Sequence, residues 1–413
     1  MPLPANLLSG GAFLGRNSHL DPEECGTRLA GKEPRVGRRA RPRLVSGPGF
    51  PFLQPVRSAV FQSVRRLVVK LGTGVLTDSR KRPDLVQFAQ LVSQVAALRA
   101  SGLEVVLVTS GAVGAGMGVL GYESRPGSLA ERQACAAVGQ SRLMATYDSL
   151  FRHFDQPIAQ VLLTHEDLAD HERHLNARNT LLTLLKRGVL PIINENDAVS
   201  VTELKFGDND RLSALVASLL PADLLVILTT ADGLIEGFGT PQARLLDVVE
   251  RIDERIEGMA GGTTSVTATG GMSTKITAAK IVVRSGIPLV IAPGRRHDGL
   301  ARILAGEKEG TLFLPVHGKL PSRKRWIAFY HHARGTIHVD EGAVQALAAQ
   351  GRSLLAPGIT RCEGEFDAED VVRICGPDGR EFARGLVRFD SAALLGRSTG
   401  RVEVVHRDDL VVL

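Results

Sequence analysis

Apolar positions along this chain follow two alternating rhythms. Leu67, Val68 and Val69 form a short continuous apolar run ending on Lys70, which predicts a buried strand, and Gly72 and Gly74 follow as a turn. Pro83 and Asp84 then open a helix in which Leu85, Phe88, Val92, Val95 and Leu98 return every three or four residues and share one face, with Gly102 as its stop. Residues 105–108 read as the next strand. The same alternation predicts strands at 158–163, 191–194, 224–228 and 287–292, and helices at 176–187, 211–220 and 275–284. Strands alternating with helices specify an α/β fold, an open and mostly parallel sheet sandwiched by helices, because parallel neighbours need a crossover and a helix is its compact form. Ligands of such sheets sit at the carboxyl ends of the strands. Polar or glycine-rich clusters follow Lys70, Thr109, Ile193 and Leu228, so the site is expected there.

The texture changes near Pro321. The run Arg323-Lys324-Arg325-Trp326 marks a boundary, and short β-rich runs between Gly and Pro turns predict a separate small β-barrel from about Arg334. At the other end, residues 1–63 are rich in Pro, Gly and Arg and lack sustained apolar periodicity, which predicts a disordered basic extension. The expected organisation is therefore 1–63 extension, 64–320 α/β domain, 321–333 linker and 334–413 barrel. Within the extension, residues 26–32 satisfy G-x-x-x-x-G-K by chance: Glu33 replaces the hydroxyl residue that would hold magnesium, and no strand precedes it. The segment also lacks the continuous apolar core of a secretory leader.

Charge narrows the classes of partner. Residues 1–65 hold ten Lys or Arg against four Asp or Glu, which accounts for the whole formal excess of +6, so the folded body is neutral and steering toward nucleic acid is not its property. Four cysteines, Cys25, Cys135, Cys362 and Cys375, stand far apart without a C-x-x-C pair, which suggests neither a zinc knuckle nor a disulfide framework and suits a reducing cytoplasm. No apolar stretch approaches the roughly 20 residues that a bilayer requires, so no membrane partner is expected. His171-Glu172-Arg173-His174 and His331-His332 do not match zincin spacing and read as surface or linker histidines.

The candidate chemistry lies between the predicted elements. Thr269-Gly270-Gly271-Met272-Ser273-Thr274-Lys275 reads as a phosphate-gripping loop before a helix: two glycines admit backbone N–H groups, Ser273 and Thr274 bring hydroxyls, and Lys275 brings charge. It is not a P-loop, because it lacks the glycine beside the lysine and the hydroxyl residue after it. Lys70, at the end of an apolar strand, is a second cation for a phosphate. Gly111, Gly114, Gly116, Gly118 and Gly121 are expected to form a loop that approaches an anion closely, while the G-x-G-x-x-G at 116–121 starts seven residues past Thr109 and is no dinucleotide fingerprint. Asn194-Glu195-Asn196-Asp197 and Gly207-Asp208-Asn209-Asp210 suit the ammonium and carboxylate of an amino acid, with Asp210 placed to orient Lys70 or Lys275.

Together these pieces resemble the amino-acid kinase family, in the branch that acts on free glutamate. The motifs are Val68-Val69-Lys70-Leu71-Gly72-Thr73, Val108-Thr109-Ser110-Gly111-Ala112, Asn194-Glu195-Asn196-Asp197-Ala198, Gly207-Asp208-Asn209-Asp210 and Gly270-Gly271-Met272-Ser273-Thr274-Lys275. The barrel is similar to a PUA domain, an RNA-associated module, through residues 339–343 and 406–409, and is shortened between Leu395 and Val402. The resemblance covers residue 65 to the end. It implies the amino-acid kinase fold, ATP bound by Lys70, Thr229, Thr230, Thr269, Gly270, Gly271, Met272, Ser273, Thr274 and Lys275, and glutamate held by Ser110, Asp197 and Asn209. It also implies Mg²⁺, a place at the start of proline synthesis beside glutamate 5-phosphate reductase, feedback inhibition by proline, and a homo-oligomer. RNA binding by the barrel remains open. Thr230 stands where the family often has aspartate.

The implied acceptor explains a missing feature. A glutamate side chain has a pKa near ~4.3 and is already a nucleophilic anion at neutral pH, so no general base is needed and no histidine motif is expected. Lys70, Lys275 and Asp210 are the expected catalytic residues, acting by positioning and charge neutralisation with Mg²⁺. The rival readings are a family member acting on aspartate, acetylglutamate, carbamate or a nucleoside monophosphate, and an RNA-binding regulatory protein with a vestigial kinase body.

Overall fold

A computed structural model describes residues 54–78, 82–200, 209–260, 271–316, 320–331, 333–395 and 402–413. Helix α1 (Gln54–Gln62) precedes β1 (Arg66–Leu71), the short α2 (Thr73–Leu76) and α3 (Leu85–Ala100). Strand β2 (Glu104–Val108) leads into α4 (Ala112–Leu120) and the long α5 (Leu129–Phe151), followed by β3 (Ile158–Leu163), α6 (His165–Ala169), α7 (His171–Lys186) and β4 (Leu190–Glu195). Next come α8 (Asn209–Leu219), β5 (Leu224–Thr229), an excursion through β6 (Ile235–Glu236), β7 (Arg244–Leu245) and β8 (Val248–Val249), and α9 (Glu254–Ala260). Helix α10 (Met272–Arg284), β9 (Leu289–Pro293), α11 (Gly299–Leu304) and β10 (Thr311–Phe313) complete this part.

The main sheet has eight strands in the order β3-β4-β2-β1-β5-β9-β10-β8, with only the β9–β10 pairing antiparallel. Its strands are continuous apolar runs because both faces are covered. Val68, Val106, Ile193, Leu225 and Ile227 point into one core, shared with residues of α8 and α10. Their chain neighbours Leu67, Val69, Val105, Leu107, Leu224 and Val226 point into the other, shared with α3 and α5. The carboxyl ends of β1, β2, β4 and β5 consequently share one edge, which brings together the four clusters expected there.

Three local expectations differ from the structure. The stretch 112–120 is a helix rather than a glycine loop, and one of its glycines serves close packing: a Cβ at Gly116 would lie 1.8 Å from the Cys135 carbonyl oxygen of α5, and one at Gly139 of α5 would lie 1.7 Å from that of Ala112. Helices α4 and α5 therefore touch backbone to backbone, and only Gly111, left-handed at φ 105°, stays at the mouth of the strand edge. The extension expected to be disordered through residue 63 ends in α1, clamped by the buried Arg57, which donates to Asp247 Oδ1 at 2.8 Å and to the carbonyls of Asp247, Glu307 and Gly310. Residues 1–53 lie outside the described residues. The segment expected as a linker contains α12 (Ser322–Phe329).

Helix α12 and the residues just past it also pack against the histidines expected at the surface, His171 and His174 of α7 and His331, while His332 lies outside the described residues. Tyr330, just past its end, is fully buried and donates its hydroxyl to the Leu215 carbonyl of α8 at 2.6 Å. His174 packs edge-on against Tyr330 at 4.7 Å, His331 against Trp326 at 4.1 Å, and His171 against Trp326 at 4.9 Å. Burial pushes the His174 and His331 imidazoles down to about 4, so both are neutral packing groups. Beyond α12 the chain forms β11 (Gly335–Val339), α13 (Glu341–Ala348), β12 (Leu354–Leu355), β13 (Ile359–Glu363), β14 (Val371–Cys375), β15 (Glu381–Leu386), α14 (Ser391–Leu395), β16 (Glu403–Val405) and β17 (Leu410–Val412). A five-stranded sheet, β13-β11-β14-β15-β17, and the β12–β16 ladder enclose their own core around Ile337, Val372, Ile374 and Val405. The shortened stretch at 396–401 lies outside the described residues.

Candidate active site

Lys70 sits near the end of β1, Asp210 in the first turn of α8, and Lys275 in the first turn of α10. The three meet. Lys70 Nζ lies 2.6 Å from Asp210 Oδ1 and Lys275 Nζ 2.9 Å from Asp210 Oδ2, with Asp210 wholly buried and both lysines nearly so. Thr274 adds a hydroxyl that donates to Asp210 Oδ2 at 2.9 Å. Burying charges is costly unless they are paired, and one carboxylate here pairs two ammonium groups and fixes where they point. Two cations held at one strand edge form a receptor for an anion bearing several oxygens.

The surroundings suit close approach of such an anion. A Cβ at Gly72 would lie 3.3 Å from the Leu228 carbonyl oxygen and 3.8 Å from Lys70 Nζ, so glycine keeps the backbone beside the ammonium open. Helix α10 begins at Met272, three residues earlier than the apolar period suggests, with Gly271 as its N-cap. Met272, Ser273, Thr274 and Lys275 therefore form the first turn of the helix, at the positive end of its dipole. Thr269 and Gly270 lie outside the described residues. Thr229 ends β5 nearly buried, its carbonyl accepting from Gly294 N at 2.8 Å, and Thr230 is exposed just beyond it.

A row of amides runs away from this cluster. Asn209, adjacent to Asp210, donates from Nδ2 to the Thr109 carbonyl, to Ser110 Oγ at 3.2 Å and to Asn194 Oδ1 at 2.7 Å. Asn194 Nδ2 in turn donates to Gln140 Oε1 at 2.9 Å. Thr109 Oγ1 shares a hydrogen with the Tyr147 hydroxyl at 2.8 Å, and full burial raises the phenol's pKa, so that phenol stays protonated. Half-buried Asp197 lies on the wall of a cavity of about 190 Å³ lined also by Gln140, Ala112, Ser141 and Glu195. That is below the 300–1,000 Å³ usual for larger ligands and suits a small molecule. Among the described residues no group of three or more His, Cys, Asp or Glu is arranged to hold a metal.

Residues 65–293 match the amino acid kinase family and residues 335–408 match the PUA domain. The chain belongs to the amino acid kinase family. It is 48% identical over 373 residues to the glutamate 5-kinase of Geobacter sulfurreducens, covering 87% of this chain and 100% of that protein. It is 47% identical over 372 residues to the glutamate 5-kinase of Syntrophotalea carbinolica, with 86% and 100% covered, and 46% identical over 367 residues to that of Shewanella amazonensis, with 85% and 97% covered.

Sequence reasoning on this family member singled out Lys70, Asp210, Thr274 and Lys275, which the fold gathers, and Ser110 with Asn209, which meet beside them. It passed over Gln140, Tyr147 and the structural role of Asn194. A signal for Gln140 was available: α5 turns Ala136, Gly139, Gln140 and Leu143 inward, and a glutamine on that small and apolar face needs a polar reason.

Proposed function

We propose that this chain transfers the γ-phosphoryl group of ATP to the side-chain carboxylate of L-glutamate, giving L-glutamate 5-phosphate and ADP, the first step of proline biosynthesis. The observation that carries the reading is the convergence of Lys70 and Lys275 on Asp210, in a chain that spans the whole length of relatives named glutamate 5-kinase. Residues 64–320 form the kinase domain, 321–333 the connection and 334–413 the PUA-like domain.

The reaction asks for placement rather than proton transfer. A glutamate carboxylate oxygen bonds to the γ-phosphorus while the bond to the β,γ-bridging oxygen breaks, and its electron pair leaves with ADP. No proton moves, so the reaction requires no general base. Lys70 and Lys275 neutralise the charge spreading over the phosphoryl oxygens, Asp210 aims them, and N–H groups near Gly72 and Gly111 assist. ATP is held by Lys70, Thr229, Thr230 and residues 269–275; Ser110, Asp197 and Asn209 hold glutamate. Mg²⁺, when bound, would neutralise phosphate charge alongside Lys70 and Lys275, whose ammonium groups both Asp210 oxygens face.

A cytoplasmic homo-oligomer, feedback inhibition by proline and delivery of product to glutamate 5-phosphate reductase complete the reading. No helix among the described residues is long and apolar enough to cross a membrane. Hydroxamate trapping of the acyl phosphate, with glutamate, aspartate and acetylglutamate offered in turn, tests the acceptor. Product from glutamate alone is expected; product from another carboxylate and none from glutamate would reject the assignment. The PUA match favours one additional reading, RNA contact by residues 334–413, for which salt-dependent retention of RNA by the full chain is the assay.

A further inference from the structure

Gln140 lies on α5 with 9% of its surface exposed, and its Nε2 meets no hydrogen-bond partner among the described residues. The orientation of that amide follows from the row it ends. A backbone carbonyl only accepts, so Asn209 must turn its NH₂ toward Thr109 O, and that same NH₂ reaches Asn194 Oδ1. Asn194 then has its own NH₂ to give, and gives it to Gln140 Oε1. The order is propagated from a fixed acceptor to the far end, where Gln140 is left with an NH₂ turned away from the row.

That donor belongs to a side chain lining the same cavity as Glu195 and Asp197. The row begins beside Asp210, where the two lysines gather, so Gln140 stands at the end remote from the phosphoryl group. A free α-amino acid carries an ammonium and a carboxylate on one carbon. Glu195 and Asp197 draw the ammonium, and the neighbouring carboxylate needs an N–H donor. A neutral amide supplies one without cancelling the acidic wall, as a lysine or arginine would.

We infer that Gln140 is a specificity-determining residue that donates from Nε2 to the α-carboxylate of the substrate amino acid. The inference rests on the reading of glutamate as acceptor and adds the group by which its head is recognised. The donor is left unmatched in the free protein, where it costs stability, because the substrate completes it.

The test uses the full chain, MgATP, L-glutamate, and 4-aminobutyrate, which is glutamate without its α-carboxylate, as a competitor. Gln140→Glu at pH 8 keeps the shape and the oxygen that accepts from Asn194 but replaces the donor; Gln140→Met removes it without charge. Both variants are expected to raise the glutamate KM by about 10- to 100-fold, with the ATP KM and the inhibition constant of 4-aminobutyrate within about twofold of the parent. A glutamate KM within about twofold of the parent in a folded variant would overturn the inference and leave Nε2 to a bound water. Equal weakening of glutamate and 4-aminobutyrate would also overturn it, since a role in packing alone affects both. Failure of the functional reading shows itself elsewhere, as a parent protein with no glutamate-dependent turnover.

Discussion

Lys275 Nζ stands 2.9 Å from Asp210 Oδ2, although 65 residues of chain separate them. The pair exists because α8 and α10 both begin at the edge where β1 ends, so two helix starts and one strand end deliver their polar residues to one point. Lys275→Ala or Lys70→Ala is expected to lower kcat by about two orders of magnitude or more, with a modest change in the glutamate KM. Steady-state kinetics on both variants checks this, and an unchanged kcat in both would reject the assignment. Asp210→Ala removes the carboxylate that two buried ammonium groups share, so urea unfolding should show a loss of about 3–5 kcal/mol as well.

Substrate contacts should behave differently. Asn209→Ala and Asp197→Ala are expected to raise the glutamate KM by about tenfold or more while leaving the ATP KM near its parent value, because neither residue belongs to the proposed nucleotide side. A rise in the ATP KM of the same size would move these residues to another role.

The contact between α4 and α5 gives a prediction about stability alone. Gly116→Ala and Gly139→Ala place a Cβ against backbone oxygens at 1.8 Å and 1.7 Å, which helices can relieve only by moving apart. Losses of more than about 3 kcal/mol, or no soluble protein, are expected. Gly118 lies on the same helix with open space beyond it, so Gly118→Ala should gain about 0.5–1 kcal/mol. Thermal unfolding of the three variants side by side separates packing glycines from a glycine-rich composition.

The histidines beside α12 make stability depend on pH. Both imidazoles fall from 6.5 to about 4 on burial, so the unfolded chain binds protons that the native one refuses. Their contribution is complete above about pH 6.5 and is lost as pH falls toward 4. His174→Phe keeps an aromatic edge against Tyr330 and should flatten the fall between pH 6.5 and 4 in urea midpoints. A parallel fall in parent and variant would place the dependence on other groups.

Much of the α/β architecture was legible because parallel strands covered on both faces must be apolar throughout, and residues 67–69, 105–108 and 224–228 are. The cluster of Lys70, Asp210 and Lys275 was legible because charged residues beside such strands have few reasons to be there, as Lys70 shows. The helix at 112–120 was not, since glycine every second or fourth residue normally argues against a helix, and only the partner helix α5 reveals that Gly116 is there for closeness. The same holds for α12 and the buried His174: an arginine-rich start and a histidine on a polar helix look solvated until the two elements are seen packed together. Gln140 stayed hidden because its partner Asn194 lies 54 positions away.

The central claim is that two lysines on one aspartate serve phosphoryl transfer to glutamate, and ADP release by purified protein with MgATP measures it most directly. Release should depend on added L-glutamate and disappear in Lys275→Ala. ADP release that is the same with and without glutamate, or that survives undiminished in both lysine variants, would contradict it.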